Sequence, residues 1–167
     1  MSDIYIDADG CPVIEETLQA GEDFGFPVTL VCDTSHVFPY EHVVILMADK
    51  GRDSTDFLLL SHVKKGDIVV TQDYGLAALV LSKEGYPISC NGVPYTTENI
   101  NRLLTMRHVC SVERKHGNYG NHAKKRTQQD NERFLDGLYA LCERAAGADK
   151  RRIVPADSPH LFGWGIP

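Results

Sequence analysis

Short β-rich apolar runs alternate with helical patterns along this chain, and three of the junctions between them carry aspartate. Ile4 to Ile6, Val28 to Cys32, His42 to Met47, Ile68 to Thr71 and Ile88 to Cys90 read as five strands. Pro12 to about Phe24 reads as a helix, with Pro12 suited to its first turn. Asp53 to Val63 and Asp73 to Lys83 read as two more, the second stopped near Gly85. Strands joined through helices of about ten residues or more need crossover connections. The expected fold is therefore α/β: a single domain with a mainly parallel five-stranded sheet and helices on both faces.

Beyond the last strand, Thr96/Thr97 cap a helix that runs to about Leu104. Residues 107–125, broken by Gly117, Asn118, Gly120 and Asn121, read as a long, mobile, basic loop. Thr127 to Ala146 makes an amphipathic helix with Phe134, Leu138 and Leu141/Cys142 on one face. The domain then spans residues 1–146. Residues 147–167 read as a Pro-rich, aperiodic tail that packs on the domain or crosses to a neighbour, which leaves a homodimer open.

The aspartates give this pattern its chemical meaning. I-Y-I-D-A-D-G ends a strand with Asp7 and Asp9; G-R-D-S-T-D-F-L-L-L opens a helix with Asp53 and Asp56; D-I-V-V-T-Q-D-Y-G ends a strand and opens a helix at Asp73. In a parallel sheet the carboxyl ends of the strands share one edge, the usual ligand crevice. Each aspartate alone has an ordinary explanation: Asp9 and Asp73 as helix caps, Asp53 or Asp56 as a favourable charge in a first helical turn. Three acidic junctions at one edge call for another. Close carboxylates repel one another, and hard cations such as Mg2+ or Mn2+ relieve the repulsion. Phosphodiester hydrolysis uses such a cluster, because the ions neutralise phosphate and lower the pKa of water.

The net charge of −6 hides a strong asymmetry. Residues 1–101 carry 5 Lys/Arg against 16 Asp/Glu, whereas residues 102–126 carry 7 against the single Glu113. An acidic body with one basic segment suits a metal centre beside a phosphate-binding arm. Arg114, Lys115, Lys124, Lys125 and Arg126 lead into the helix at Thr127, whose free N–H groups favour phosphate oxygens. A solvated basic loop explains the same residues equally well. The partner expected is nucleic acid, single-stranded RNA first.

No apolar stretch approaches a membrane span, and the N-terminus lacks the basic start and long apolar region of a secretory signal. Five cysteines, an odd number without a C-x-x-C pair, point to reduced thiols and a cytoplasmic location. Cys11 before Pro12 could serve as a nucleophile at a helix start, but no motif supplies a histidine base, and a small buried cysteine explains it better.

The segments I-D-A-D-G-C-P-V, K-G-R-D-S-T-D, V-V-T-Q-D-Y-G-L-A and T-x-x-D-x-x-x-F (Thr127, Asp130, Phe134) resemble the signature of the YaiI/YqxD family, a group of uncharacterised bacterial proteins. The likeness runs from about Tyr5 to about Leu138. That family is regarded as a branch of the PIN-like nucleases. The resemblance implies a PIN-like parallel sheet with acidic residues at its carboxyl edge. It implies Asp7, Asp56 and Asp73 as the acidic triad, Asp9 and Asp53 as added metal-binding carboxylates, and Thr71 as the residue that orients the Asp73 carboxylate. Gly10 departs from the more usual Ala of the motif.

Two other functions compete. I-Y-I-D-A-D-G also resembles the first motif of haloacid-dehalogenase-like phosphatases, but Cys11 stands where Thr or Val is expected, and the chain's G-D pair, Gly66-Asp67, precedes its strand. A non-catalytic nucleic-acid-binding or regulatory module is the other. Retention of every expected ligand weighs against it.

Overall fold

A computed structural model describes residues 1–33, 36–51, 53–115 and 124–153, with only the backbone described for Glu113, Arg114 and residues 149–153. Five strands form one sheet: β1 (Ile4–Asp7), β2 (Val28–Asp33), β3 (Val44–Ala48), β4 (Ile68–Val70) and β5 (Tyr86–Ile88). Every pairing is parallel, and the order across the sheet is β3-β2-β1-β4-β5. Register follows the pleat. Ile4 and Ile6 sit beside Val28 and Leu30 on one flank and Ile68 and Val70 on the other.

That alternation divides the core in two. Ile4, Ile6, Leu30, Ile68, Val70 and Ile88 face the helices α1 (Ile14–Phe24) and α5 (Gln128–Ile153), where they bury Phe134, Leu138 and Cys142. Tyr5, Val31 and Val69 point the other way, against Leu59 and Val63 of α2 (Ser54–His62) and its C-terminal junction, and Leu76 and Val80 of α3 (Tyr74–Ser82). The last helix, α4 (Thr97–Lys115), packs on α3 through Ile100, Tyr95 and Ala77. The α/β fold with a five-stranded parallel sheet and helices on both faces is the one its residue pattern predicts.

The connection from β2 to β3 has no helix among its described residues. Phe38, Tyr40 and Val43 anchor it to the core on the α1/α5 side, with His36, Phe38 and Tyr40 stacked ring on ring. A capping box starts each of the long helices. Thr96 and Asn99 exchange bonds at the head of α4, with Asn99 N–H donating to Thr96 Oγ1 (3.2 Å) and Thr96 N–H to Asn99 Oδ1 (2.9 Å). Thr127 and Asp130 do the same for α5, at 3.3 and 2.8 Å. The T-x-x-D-x-x-x-F segment is thereby explained as a helix start followed by a fully buried Phe134.

Several boundaries differ from the sequence expectation. The fifth strand is Tyr86–Ile88 rather than Ile88–Cys90. Pro87 tolerates this because β5 is an edge strand and needs no outward N–H bond there. The first helix starts at Ile14, so Pro12 lies ahead of it rather than in its first turn. Residues 107–115, expected in a loop, are helical, as are residues 147–153 of the expected tail. From Arg107 to Cys110 every side chain is exposed, so no buried face gives this stretch a helical periodicity to read. The rest of the expected loop, residues 116–123, and of the tail, residues 154–167, lies outside the described residues.

Candidate metal centre

The strand order places a topological switch point between β1 and β4. From β1 the chain leaves through α1 on one face of the sheet, and from β4 it leaves through α3 on the other. At such a switch point the two connections leave on opposite faces, and the crevice outside the carboxyl ends of the strands is where ligands bind in open α/β sheets. Asp7 is the last residue of β1, Thr71 follows the last residue of β4, and Asp73 is the N-cap of α3. Asp56 stands in the first turn of α2, three residues after Asp53 at that helix's N-cap.

Thr71 links the two strand ends. Its hydroxyl donates to Asp7 Oδ2 at 2.9 Å and accepts the backbone N–H of Asp73 at 3.0 Å. It is buried, and the Tyr95 hydroxyl donates to its carbonyl at 3.2 Å, which fixes the turn. Thr71 therefore orients the carboxylate of Asp7 and the backbone of Asp73, rather than the Asp73 carboxylate as the resemblance implies. Asp73 Oδ1 accepts the N–H groups of Gly75 and Leu76 at 2.8 and 3.1 Å and so caps α3, while Arg107 of α4 approaches that same oxygen at 3.5 Å. Asp53 has φ +62° and makes no side-chain cap bond, so its carboxylate is not explained as a cap.

Electrostatics shows which carboxylates share one field. Burial pushes Asp7 from the usual 3.8 up to about 6; the Thr71 bond opposes that rise, and Asp56, Asp9 and Asp73 add to it. Burial likewise raises Asp56, followed by the charges of Asp73 and Asp53. Asp7, Asp56 and Asp73 thus repel one another, with Asp9 adding to Asp7 and Asp53 to Asp56, but their ligand atoms do not gather as a trio within 4.8 Å of one another. An all-oxygen donor set in which burial makes Asp7 and Asp56 resist ionisation suits a hard divalent cation such as Mg2+ or Mn2+.

Asp9 leans toward the neighbouring strand. Its Oδ2 accepts the backbone N–H of Asp33 at 3.2 Å. Its Oδ1, shielded from solvent, lies 2.9 Å from His36 Nδ1 without the alignment of a hydrogen bond. His36 Nδ1 also lies 3.2 Å from Asp33 Oδ1, and donor atoms of Asp9, Asp33 and His36 fall within 4.8 Å of one another. Sequence reading missed Asp33 and His36 as neighbours of this edge. Asp33 carried a signal: it ends β2, the strand beside β1.

Two cysteines, both within the field of the Asp7 charge, lie against each other. Cys11 Sγ and Cys90 Sγ are 3.9 Å apart. Their mutual hydrogen bond, ahead of burial, raises Cys11, and the same bond lowers Cys90 with help from Gln72 and Arg126.

The basic residues divide by role. Arg126 is half-buried and braces the start of α5. Its guanidinium donates to the Cys90 carbonyl (2.6 Å), Asn131 Oδ1 (2.6 Å), Asn91 Oδ1 and the Asp130 carbonyl (both 3.3 Å). Lys115, Lys124 and Lys125 are exposed, and the Arg114 side chain lies outside what is described. Lys124, Arg126 and Arg133 line a cleft of about 450 Å³ with Asn91, Val93 and Asp130. Thr127, whose N–H is taken by Asp130, stands beside it. A cleft of about 640 Å³ at the amino ends of β4 and β5, between Gly66 and Tyr86, contains none of the five aspartates. No helix among the described residues is long and apolar enough to cross a membrane.

The model of the uncharacterised bacterial YaiI/YqxD family matches residues 5–144. The chain belongs to the YaiI/YqxD family. A UPF0178 protein of Exiguobacterium sibiricum is 45% identical over 138 residues, 83% of this chain and 94% of the relative. UPF0178 proteins of Clostridium acetobutylicum (42% over 144 residues; 84% and 97%) and Alkaliphilus oremlandii (43% over 136 residues; 79% and 87%) are similar to it as well. No solved structure matches the chain. The span that matches the YaiI/YqxD family contains all five aspartates, Thr71 and the basic segment, so each belongs to the part of the chain the family shares.

Proposed function

We propose that this YaiI/YqxD chain is a Mg2+- or Mn2+-dependent nuclease that hydrolyses phosphodiester bonds, with single-stranded RNA as its substrate. The observation that carries the reading is that Asp7, Asp56 and Asp73 act on one another's charge at one edge of the sheet, where burial, followed by the charges of Asp56, Asp9 and Asp73, raises Asp7 to about 6. The likeness of these segments to PIN-like nucleases supports it. A divalent ion bound there supplies positive charge for the phosphate and lowers the pKa of water.

The chain's own residues do the rest. Asp7, Asp56 and Asp73 hold the ion, with Asp9 and Asp53 adding negative charge around it. Thr71 holds the Asp7 carboxylate in place through its hydroxyl. Arg107, already beside Asp73, offers a guanidinium to a phosphate oxygen once Asp73 is neutralised. Lys124, Lys125 and the cleft beside Arg126 receive the backbone of the strand, with Arg114, Lys115 and Thr127 as its flanks. The phosphatase alternative is less well served: Asp67 lies at the amino end of β4, where its carboxylate accepts the N–H groups of Asp3 and Lys64.

The test is Mn2+ titration calorimetry together with cleavage of a labelled single-stranded RNA, using the parent protein and an Asp7→Asn/Asp73→Asn variant. Ion binding and cleavage should both be lost in the variant. Cleavage that survives in it would place the activity elsewhere or in a contaminant.

A further inference from the structure

We propose that Cys11 and Cys90 form a reversible disulfide that clamps the loop after β1 and weakens divalent-ion binding at the neighbouring carboxylates. The two sulfurs, 79 residues apart in sequence, are already in contact at 3.9 Å. Cys90 is the fixed partner. Its carbonyl is held by Arg126, it is 2% exposed, and the Gly92 that follows is seated so closely on α5 that a Cβ at Gly137 would collide with the Gly92 carbonyl. Cys11 is the accessible partner, half-buried at the end of a tight turn in which its N–H donates to the Ala8 carbonyl at 3.1 Å. That turn begins at Ala8, contains Asp9 and directly follows Asp7, the last residue of β1.

The oxidant is a peroxide. One sulfur attacks a peroxide oxygen, the O–O bond breaks, and a sulfenic acid and one water result. The second sulfur displaces the sulfenic oxygen, which leaves with the remaining proton as a second water. Two thiols lose two electrons and the peroxide gains them. A thiol reductant reverses the change by exchange.

Bond formation must shorten the S–S separation to about 2.0 Å. With Cys90 fixed, the shift falls on the Cys11 turn and so on the positions of Asp7 and Asp9. Metal ligands tolerate errors of only about 0.2 Å, so a displaced turn lowers affinity. This consequence rests on the metal-centre reading above; the cross-link does not.

Full-length protein is treated with hydrogen peroxide, alkylated and mapped by peptide mass spectrometry. Mn2+ affinity and amide hydrogen exchange are measured before oxidation, after it, and after dithiothreitol. Expected are a Cys11–Cys90 cross-linked peptide, slower exchange in the turn at residues 8–12, and Mn2+ affinity lowered about tenfold or more, as metal sites lose when supporting contacts shift. Dithiothreitol should restore all three. Cys11→Ser should abolish the response, and Cys110→Ser, which removes the exposed thiol of α4, should retain it. No Cys11–Cys90 peptide, or a cross-link that leaves affinity unchanged, overturns the proposal. If even the reduced protein binds no Mn2+, the metal centre fails instead, and the clamp then stands or falls on the cross-linked peptide and the slowed exchange.

Discussion

Thr71 and Asp7 are joined by a hydrogen bond of 2.9 Å across the gap between β4 and β1, and the same hydroxyl oxygen receives the Asp73 N–H at 3.0 Å. One buried side chain thus ties together the two strand ends that carry the acidic centre. Its effect on an ion should be that of a supporting contact. Thr71→Val, which keeps the shape and removes the hydroxyl, should weaken Mn2+ binding about 10- to 100-fold. Thr71→Ser should stay close to the parent. Calorimetry on the three proteins checks this, and equal affinity in the Val variant would reduce the bond to a structural one.

Asp7 should destabilise the folded protein when no ion is bound. Its folded pKa is raised from 3.8 to about 6, so between these values the folded state holds a proton that the unfolded chain has released. Stability from this group is therefore greatest below about pH 4 and declines as pH rises through about 6. Asp7→Asn should stabilise the metal-free protein at neutral pH by about 1–3 kcal/mol, from roughly 1.4 kcal/mol per pKa unit. At about pH 4 the gain should vanish. Urea denaturation at the two pH values decides it, and an equal gain at both would point to packing instead of charge.

Ion binding should show the reciprocal dependence. An ion at Asp7 must displace the proton that the carboxyl keeps up to about pH 6. Apparent Mn2+ affinity should therefore fall by up to about tenfold per pH unit below that point and level off above it. Titrations from acid to neutral pH, with Asp73→Asn alongside, test whether the inflection follows Asp7. An inflection near the ordinary carboxylate value would contradict the burial described here.

Arg126 and the lysines beside it should separate in their effects. Arg126→Ala loses its bonds to the Cys90 carbonyl and Asn131 and should cost about 1–3 kcal/mol of stability. Lys124→Ala/Lys125→Ala changes exposed side chains and should leave stability within about 0.5 kcal/mol. If the lysines meet phosphates, this pair should flatten the log affinity against log salt slope for single-stranded RNA by about 1.4. Thermal melts and fluorescence anisotropy at several salt concentrations give both quantities. An unchanged slope would leave the lysines as solvated surface.

The sequence by itself determined the layers and the edge. Ile4, Ile6 and Val28 to Cys32 alternate across a pleat that buries both faces, and the spacing between runs required parallel crossovers, so Asp7 and Asp73 had to share one end of the sheet. It also announced the helix starts at Thr96 and Thr127, because caps are local hydrogen bonds between neighbours in the chain. It did not announce α4 beyond Leu104, whose exposed side chains leave no periodic trace. Only the tertiary structure decided that β1 lies next to β4, which turns Thr71 toward Asp7, draws Asp9 to Asp33 and His36, and brings Cys11 to Cys90. Those relations depend on strand order and on the depth at which each side chain is buried. Both are set by how the two apolar faces of the sheet are shared among the helices, a competition among residues far apart in the chain that no local pattern records.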